Sequence, residues 1–189
     1  FMTATPSMKR NRGYFEQGPI RPPSEAGSLL LRFTRNCPWN RCTFCPVYKG
    51  QTFSRRPLAE IIEDIDTVAA IIEDLKELSV GLGEGGQVND RVLNHVLTRA
   101  SFTQQQRNVA FWHAVGKGTV FLQDADSLLL PADTLVKALR HLHEKVPGVK
   151  RVTSYARSST LNRKTLQELE AIHEAGLHRI HVGMESGSD

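Results

Sequence analysis

Three times along this chain a short apolar run gives way to a stretch of helical period, and a fourth run closes the series. The runs are Leu29–Thr34, Thr119–Gln123, Arg151–Tyr155 and His178–Met184. Strands separated by helices build βα units, which form a parallel sheet whose functional loops gather at the strands' carboxyl ends. The expected fold class is therefore α/β. The first helix starts at Pro57, whose fixed φ suits a first turn, and shows an apolar face at Leu58, Ile61, Ile62, Ile65, Val68, Ala69, Ile72 and Leu75. Its other face carries Glu60, Glu63, Asp64, Glu73 and Glu77 and is expected to be solvated. The second helix spans Pro131–Val146 and is stopped by Pro147-Gly148. Asn162 is read as the cap of the third, with Gly176 supplying its terminal left-handed turn.

Residues 79–118 break the alternation and read as an insertion. They open with Gly81-Leu82-Gly83-Glu84-Gly85-Gly86, which matches a dinucleotide fingerprint on paper. That fingerprint must follow a strand and open a helix, whereas these glycines follow a helix, so a linker is expected. Asn89 or Asp90 then caps a short helix, and a second runs from Thr103 to His113. Residues 1–28, rich in Pro, Gly, Ser and charge, read as an extended leader. The domain proper is 29–189, with the insertion at about 79–118. The chain stops at an apparent strand-to-loop junction, Gly187-Ser188-Asp189, and reads as a fragment truncated at its C-terminus.

All three cysteines lie in Asn36-Cys37-Pro38-Trp39-Asn40-Arg41-Cys42-Thr43-Phe44-Cys45-Pro46, directly after the first strand. An odd number of thiols cannot all pair, and neighbours this close make poor disulfides. Three thiolates on one loop suit zinc or iron–sulfur. Either centre takes four protein ligands when closed, and no histidine lies nearby to serve as the fourth. With three, one iron would stay open for a small molecule. The net charge of +4 is spread along the chain, with a local excess at Lys9, Arg10 and Arg12 that reads as a solvated tail. No apolar stretch reaches the length of a membrane span and the start lacks a signal-peptide pattern. Reduced thiols then place the chain in the cytoplasm, with no membrane partner.

With its cysteine loop after strand one, repeated βα units, and the run Gly183-Met184-Glu185-Ser186-Gly187 ending strand four, the chain resembles the radical SAM superfamily. The helix-to-strand run from Leu166 to Gly187 is similar to branches holding methylthiotransferases, elongator-type catalytic subunits and oxygen-independent coproporphyrinogen dehydrogenases. The usual C-x3-C-x2-C spacing is here C-x4-C-x2-C. The resemblance implies the N-terminal portion, about four βα units, of a partial (β/α)6 barrel with a helical insertion. It also implies that Cys37, Cys42 and Cys45 hold three irons of a [4Fe–4S] cluster. S-adenosylmethionine would bind the fourth iron and be cleaved reductively to a 5′-deoxyadenosyl radical that abstracts hydrogen from a substrate of unknown identity. A flavodoxin or ferredoxin would supply the electron.

Further site residues follow from that resemblance. Asp124 or Asp126 accepts from the ammonium of S-adenosylmethionine, or else caps the turn before the Pro131 helix. Arg157 forks onto its carboxylate, or else is an ordinary surface arginine. Ser154 meets ribose or carboxylate, or merely fills the sheet, and Glu185 lies near the ribose or the bound methionine. Phe44 packs near adenine or fills the loop's own core, and Trp39 shields the cluster from water. The histidines, His178 and His181 included, are assigned surface or packing roles. Two other functions stay open. One is an iron–sulfur or zinc protein without catalysis, its fourth ligand supplied elsewhere; the other is a tRNA-modifying member of the same superfamily.

Overall fold

The computed structural model describes residues 13–183, so the expectations for Lys9, Arg10, Arg12 and Glu185 lie outside the described residues. In chain order the elements are β1 (Leu29–Arg32), β2 (Thr34–Arg35), β3 (Ser54–Arg55), α1 (Leu58–Gly81), α2 (Asp90–Thr98), α3 (Gln104–Val115) and β4 (Thr119–Gln123). They continue with α4 (Ala132–Lys145), β5 (Arg151–Tyr155), α5 (Ser158–Leu161), α6 (Leu166–Glu174) and β6 (Leu177–His181). Strands β1, β4, β5 and β6 form one parallel sheet in that order, and β2 and β3 form a separate antiparallel pair. The fold is mixed α/β. Among the described residues no helix is long and apolar enough to cross a membrane.

The first strand is shorter than its apolar run. The Phe33 amide still donates to the Gln123 carbonyl at 2.7 Å, but Thr34 and Arg35 turn away to pair with Arg55 and Ser54. The third major helix is also capped differently than expected. Asn162 only follows the short α5, and α6 begins at a capping box in which Thr165 Oγ1 accepts from the Glu168 amide while Glu168 accepts from the Thr165 amide.

Alternate strand residues point to opposite faces of the sheet. On one face Val120, Leu122 and Val152 join Ile61, Ile65, Val68 and Ile72 of α1 and Leu135, Leu139 and Leu142 of α4 in a single apolar core. The stretch expected as an insertion is built into that same core. Val92 and Val96 of α2 and Val109 and Ala110 of α3 are fully buried there, and Trp112 Nε1 donates to the Thr119 carbonyl at 2.8 Å. Asn89 caps α2, accepting from the Arg91 and Val92 amides, and the glycines between α1 and α2 form a turn with positive φ at Gly83, Gly85 and Gly86. The acidic stripe of α1 is not wholly solvated either, because Asp64 is buried against Arg56.

Residues 13–17 lie against α1 and α3, with Phe15 in the apolar core, whereas the opposite face is met by residues 18–28. Gln123 holds this segment much as a strand edge would. Its Oε1 accepts from the Gly18 amide at 2.8 Å, and its Nε2 donates to the carbonyls of Gly18 at 2.9 Å and Ile20 at 2.8 Å. Glu25 is fully buried there, and Thr119 Oγ1 and Ser28 Oγ share a hydrogen bond at 2.8 Å. A Cβ at Gly18 would stand 1.9 Å from Asp124 Oδ1, so only glycine allows this approach. Residues 18–28 are thus laid down on the sheet.

Candidate functional site

The cysteine loop leaves the carboxyl end of β1 and returns through β3, so the β2–β3 pair closes its neck. Two asparagines shape what lies between. Asn36 and Asn40 both adopt left-handed backbone, with φ of 67° and 48°, a conformation asparagine tolerates better than most residues. The Asn36 side-chain amide donates to the Thr52 carbonyl at 2.7 Å, and that of Asn40 donates to the Tyr48 carbonyl at 2.6 Å. The Asn40 backbone amide points at Cys37 Sγ at 3.4 Å. The stretch between Cys37 and Cys42 thus holds an asparagine in a tight left-handed turn.

A network of ion pairs ties this neck to the leader and to α1. Glu16 meets Arg32 at 2.9 Å, Arg35 at 2.6 Å and Arg56 at 3.4 Å. Arg56 also reaches Asp64 at 2.5 Å, and Arg35 reaches Glu60 at 2.7 Å. Burial is the largest single influence on Glu16 and pushes its pKa up, but the three guanidiniums outweigh it and the carboxyl is held below its ordinary value. For Asp64 burial wins, and its pKa is raised despite Arg56.

Cys37, Cys42 and Cys45 are free, partly exposed thiols that line one pocket of about 420 Å³ at the carboxyl edge of the sheet. That volume lies within the range of small-molecule sites. Ile20, Trp39, Phe44, Tyr48 and Ala125 share the wall with Tyr155, Ala156, Arg157, Ser158 and His181. The structure therefore brings together the three cysteines, Phe44 and Arg157. Phe44 is 65% exposed, so it fills no core within the loop. The Arg157 guanidinium lies 4.6 Å from the centre of the Trp39 ring, within cation–π reach, and has no carboxylate partner among the described residues. Trp39 is itself 45% exposed, at the pocket wall.

Three expected contacts are not at this wall. Asp124 is fully buried and turned back into the fold, where its Oδ2 accepts from Arg32 Nε at 2.7 Å and the Asn36 amide at 2.9 Å. Asp126 is equally buried and accepts from Thr160 Oγ1 at 2.5 Å and the Arg157 amide at 3.4 Å, which ties down the first turn of α5. Burial pushes its pKa up. Only Ala125, between them, faces the pocket. Ser154 is buried inside β5, its hydroxyl donating to the Tyr155 carbonyl at 3.0 Å, and so fills the sheet. Both aspartates were placed by their position after a strand, yet each is drawn inward by partners remote in sequence.

Other wall residues escaped the sequence reading. His181 was assigned packing but lines the pocket, and Tyr155 packs beside it with ring centroids 5.8 Å apart. Tyr48 is buried at the base, and its phenol pKa is raised, first by burial and then by the neighbouring Asp124 charge. The period-two pattern was the usable signal for Tyr155 and His181, since both share a face with Gln123 at strand ends. Comparison of the chain with family models, with curated proteins and with solved structures returned no match.

The donor set is soft and incomplete. Among the described residues no three His, Cys, Asp or Glu side chains converge at metal-binding distances, so the three sulfurs share a wall without closing a polyhedron. Free thiols, a backbone amide aimed at one of them, and space beside them are chemically suited to a thiophilic centre.

Proposed function

We propose that this pocket binds a [4Fe–4S] cluster through Cys37, Cys42 and Cys45, with S-adenosylmethionine beside it, and that the chain is a radical SAM enzyme. The observation that carries the reading is the shared wall: the only three cysteines of the chain line the same pocket as Arg157, at the carboxyl edge of a parallel sheet. When bound, such a cluster would supply the one-electron chemistry that S-adenosylmethionine cleavage requires. The chain's own residues would do the rest. Arg157 takes the cofactor carboxylate with its planar fork while Trp39 holds the guanidinium at the pocket mouth. Phe44 and Trp39 would add aromatic surface to the same pocket wall. Asp126 and Thr160 fix the turn from which Arg157 projects.

The test is anaerobic reconstitution followed by iron and sulfide analysis, EPR after dithionite reduction, and assay for 5′-deoxyadenosine. Four irons with sulfide and a spectrum altered by S-adenosylmethionine support the reading, and Cys42→Ala should lose the cluster. A single bound zinc, or full iron retention in that variant, overturns it. Arg157→Ala should weaken S-adenosylmethionine by about one to two orders of magnitude, with Arg157→Lys recovering part of the loss.

A further inference from the structure

The leader contributes more than a cover. Glu25 ends a short 3-10 turn, Pro23–Glu25, and its carboxylate is fully buried against the polar face of the sheet. A buried carboxylate needs compensating donors. Ser28 Oγ donates to it, Arg151 Nη2 stands at 3.5 Å, and His181 Nε2 stands at 3.8 Å. That imidazole nitrogen is buried and has no hydrogen-bond partner, yet 28% of the His181 side chain is exposed and the ring lines the pocket. The ring thus spans from a buried negative charge to the ligand space. The Glu25 charge also reaches the pocket wall through Tyr155, whose pKa is raised by burial first and by that carboxylate second. No Asp or Glu lines the pocket among the described residues; its charged or basic lining groups, thiols and phenols aside, are Arg157 and His181.

We propose that His181 is a ligand-binding residue that receives an oxyanion of the substrate, a carboxylate or phosphate, and that Glu25 is the positioning residue that holds its ring. The inference rests on the proposed function for the pocket and for the assignment of Arg157 to the cofactor. Arg157 engages the cofactor, and His181, at the end of the last strand, offers a second anion contact for a different molecule. The segment before β1 thereby takes part in substrate selection.

The experiment is a calorimetric titration of inorganic phosphate into the full chain, in wild type, Glu25→Gln, His181→Gln and the double variant. Circular dichroism and thermal melting confirm folding of each. His181→Gln should weaken phosphate by about tenfold and Glu25→Gln by about three- to fivefold, since one charged hydrogen bond is lost or misaligned. The double variant should be no weaker than His181→Gln alone, because Glu25 acts only through His181. A merely structural Glu25 would give effects that add. Should Glu25→Gln fail to fold, Glu25→Asp with the same cycle carries the test, the shorter side chain costing affinity only while His181 is present. Additive losses, unchanged affinity in His181→Gln, or no phosphate binding by wild type overturns the proposal. Arg157→Lys in parallel identifies phosphate that binds at the cofactor contact, which also counts against His181. None of these readouts requires the cluster, so their failure leaves the EPR test standing, and failure of the EPR test leaves the anion site standing.

Discussion

The two faces of the parallel sheet are held by different physics. Against the helices, Val120, Leu122 and Val152 bury apolar area in one continuous core, where any well-fitting hydrocarbon serves. Against residues 16–28, Thr119, Gln123 and Arg32 meet their partners by directed polar contacts. Apolar packing sets how firmly the sheet is held, and the polar face sets what the pocket can recognise. A fold that used apolar packing on both sides would be more tolerant of substitution and would have no charged groups to offer a ligand.

Substitutions on either side should separate these roles. The largest stability change is expected on the helix face, where Leu122→Ala should cost about 2–5 kcal/mol through lost burial and a residual cavity. Urea denaturation measures it, and a loss under 1 kcal/mol would mean that the face is loosely packed. Gln123→Ala, the neighbour pointing the other way, removes three hydrogen bonds to the leader and should cost about 1–3 kcal/mol. Its more telling signature is faster hydrogen exchange and proteolysis within residues 13–20 while the helices stay protected. Uniform loss of protection would show that the two faces unfold as one.

A pH series sharpens the contrast further. The Glu16 carboxyl is depressed below its ordinary value of 4.5, so its stabilising contribution is fully present above that pH. The contribution is lost as pH falls through the lower folded value, because the unfolded chain binds the proton first. Glu16→Gln should therefore flatten the decline of stability below about pH 4.5, while leaving the shape above pH 6 unchanged. Acid titration of both proteins by circular dichroism checks this, and parallel curves would remove Glu16 from the explanation. The smallest effect belongs to the exposed outer helix surface. Lys137→Ala breaks a 3.5 Å contact with Asp133 in open solvent and should leave the melting temperature within error.

The helix face was legible in the sequence because its signals are local. Period, proline and glycine positions, and the Asn89 cap all act within one or two turns. The capping box of α6 was equally local, in Thr165 and Glu168, but was passed over for Asn162. The polar face was not legible in that way. Gln123 serves Gly18, 105 residues before it, and Asp124 answers to Arg32 and Asn36. Nothing in the neighbourhood of either residue announces such partners. The cysteines and Arg157 were found because they occupy loop positions at strand ends, where the fold leaves side chains free to face a cavity. Glu25 and His181 were missed because one lies in a proline-rich stretch and the other inside a strand, and their relation exists only once the sheet has formed.

The leader's partners also set an order of events in time. During synthesis residues 13–28 are made before any strand of the sheet, yet the groups that receive them come much later, Gln123 after about a hundred further residues and Arg151 126 residues beyond Glu25. Glu25 therefore leaves the ribosome long before Arg151 and His181 exist, and helices α1 to α3 have the opportunity to assemble around β1 first. Closing contacts of such long sequence separation is slow. Residues 18–28 are made before the strands that receive them, and until they dock the pocket lacks Ile20 from its wall.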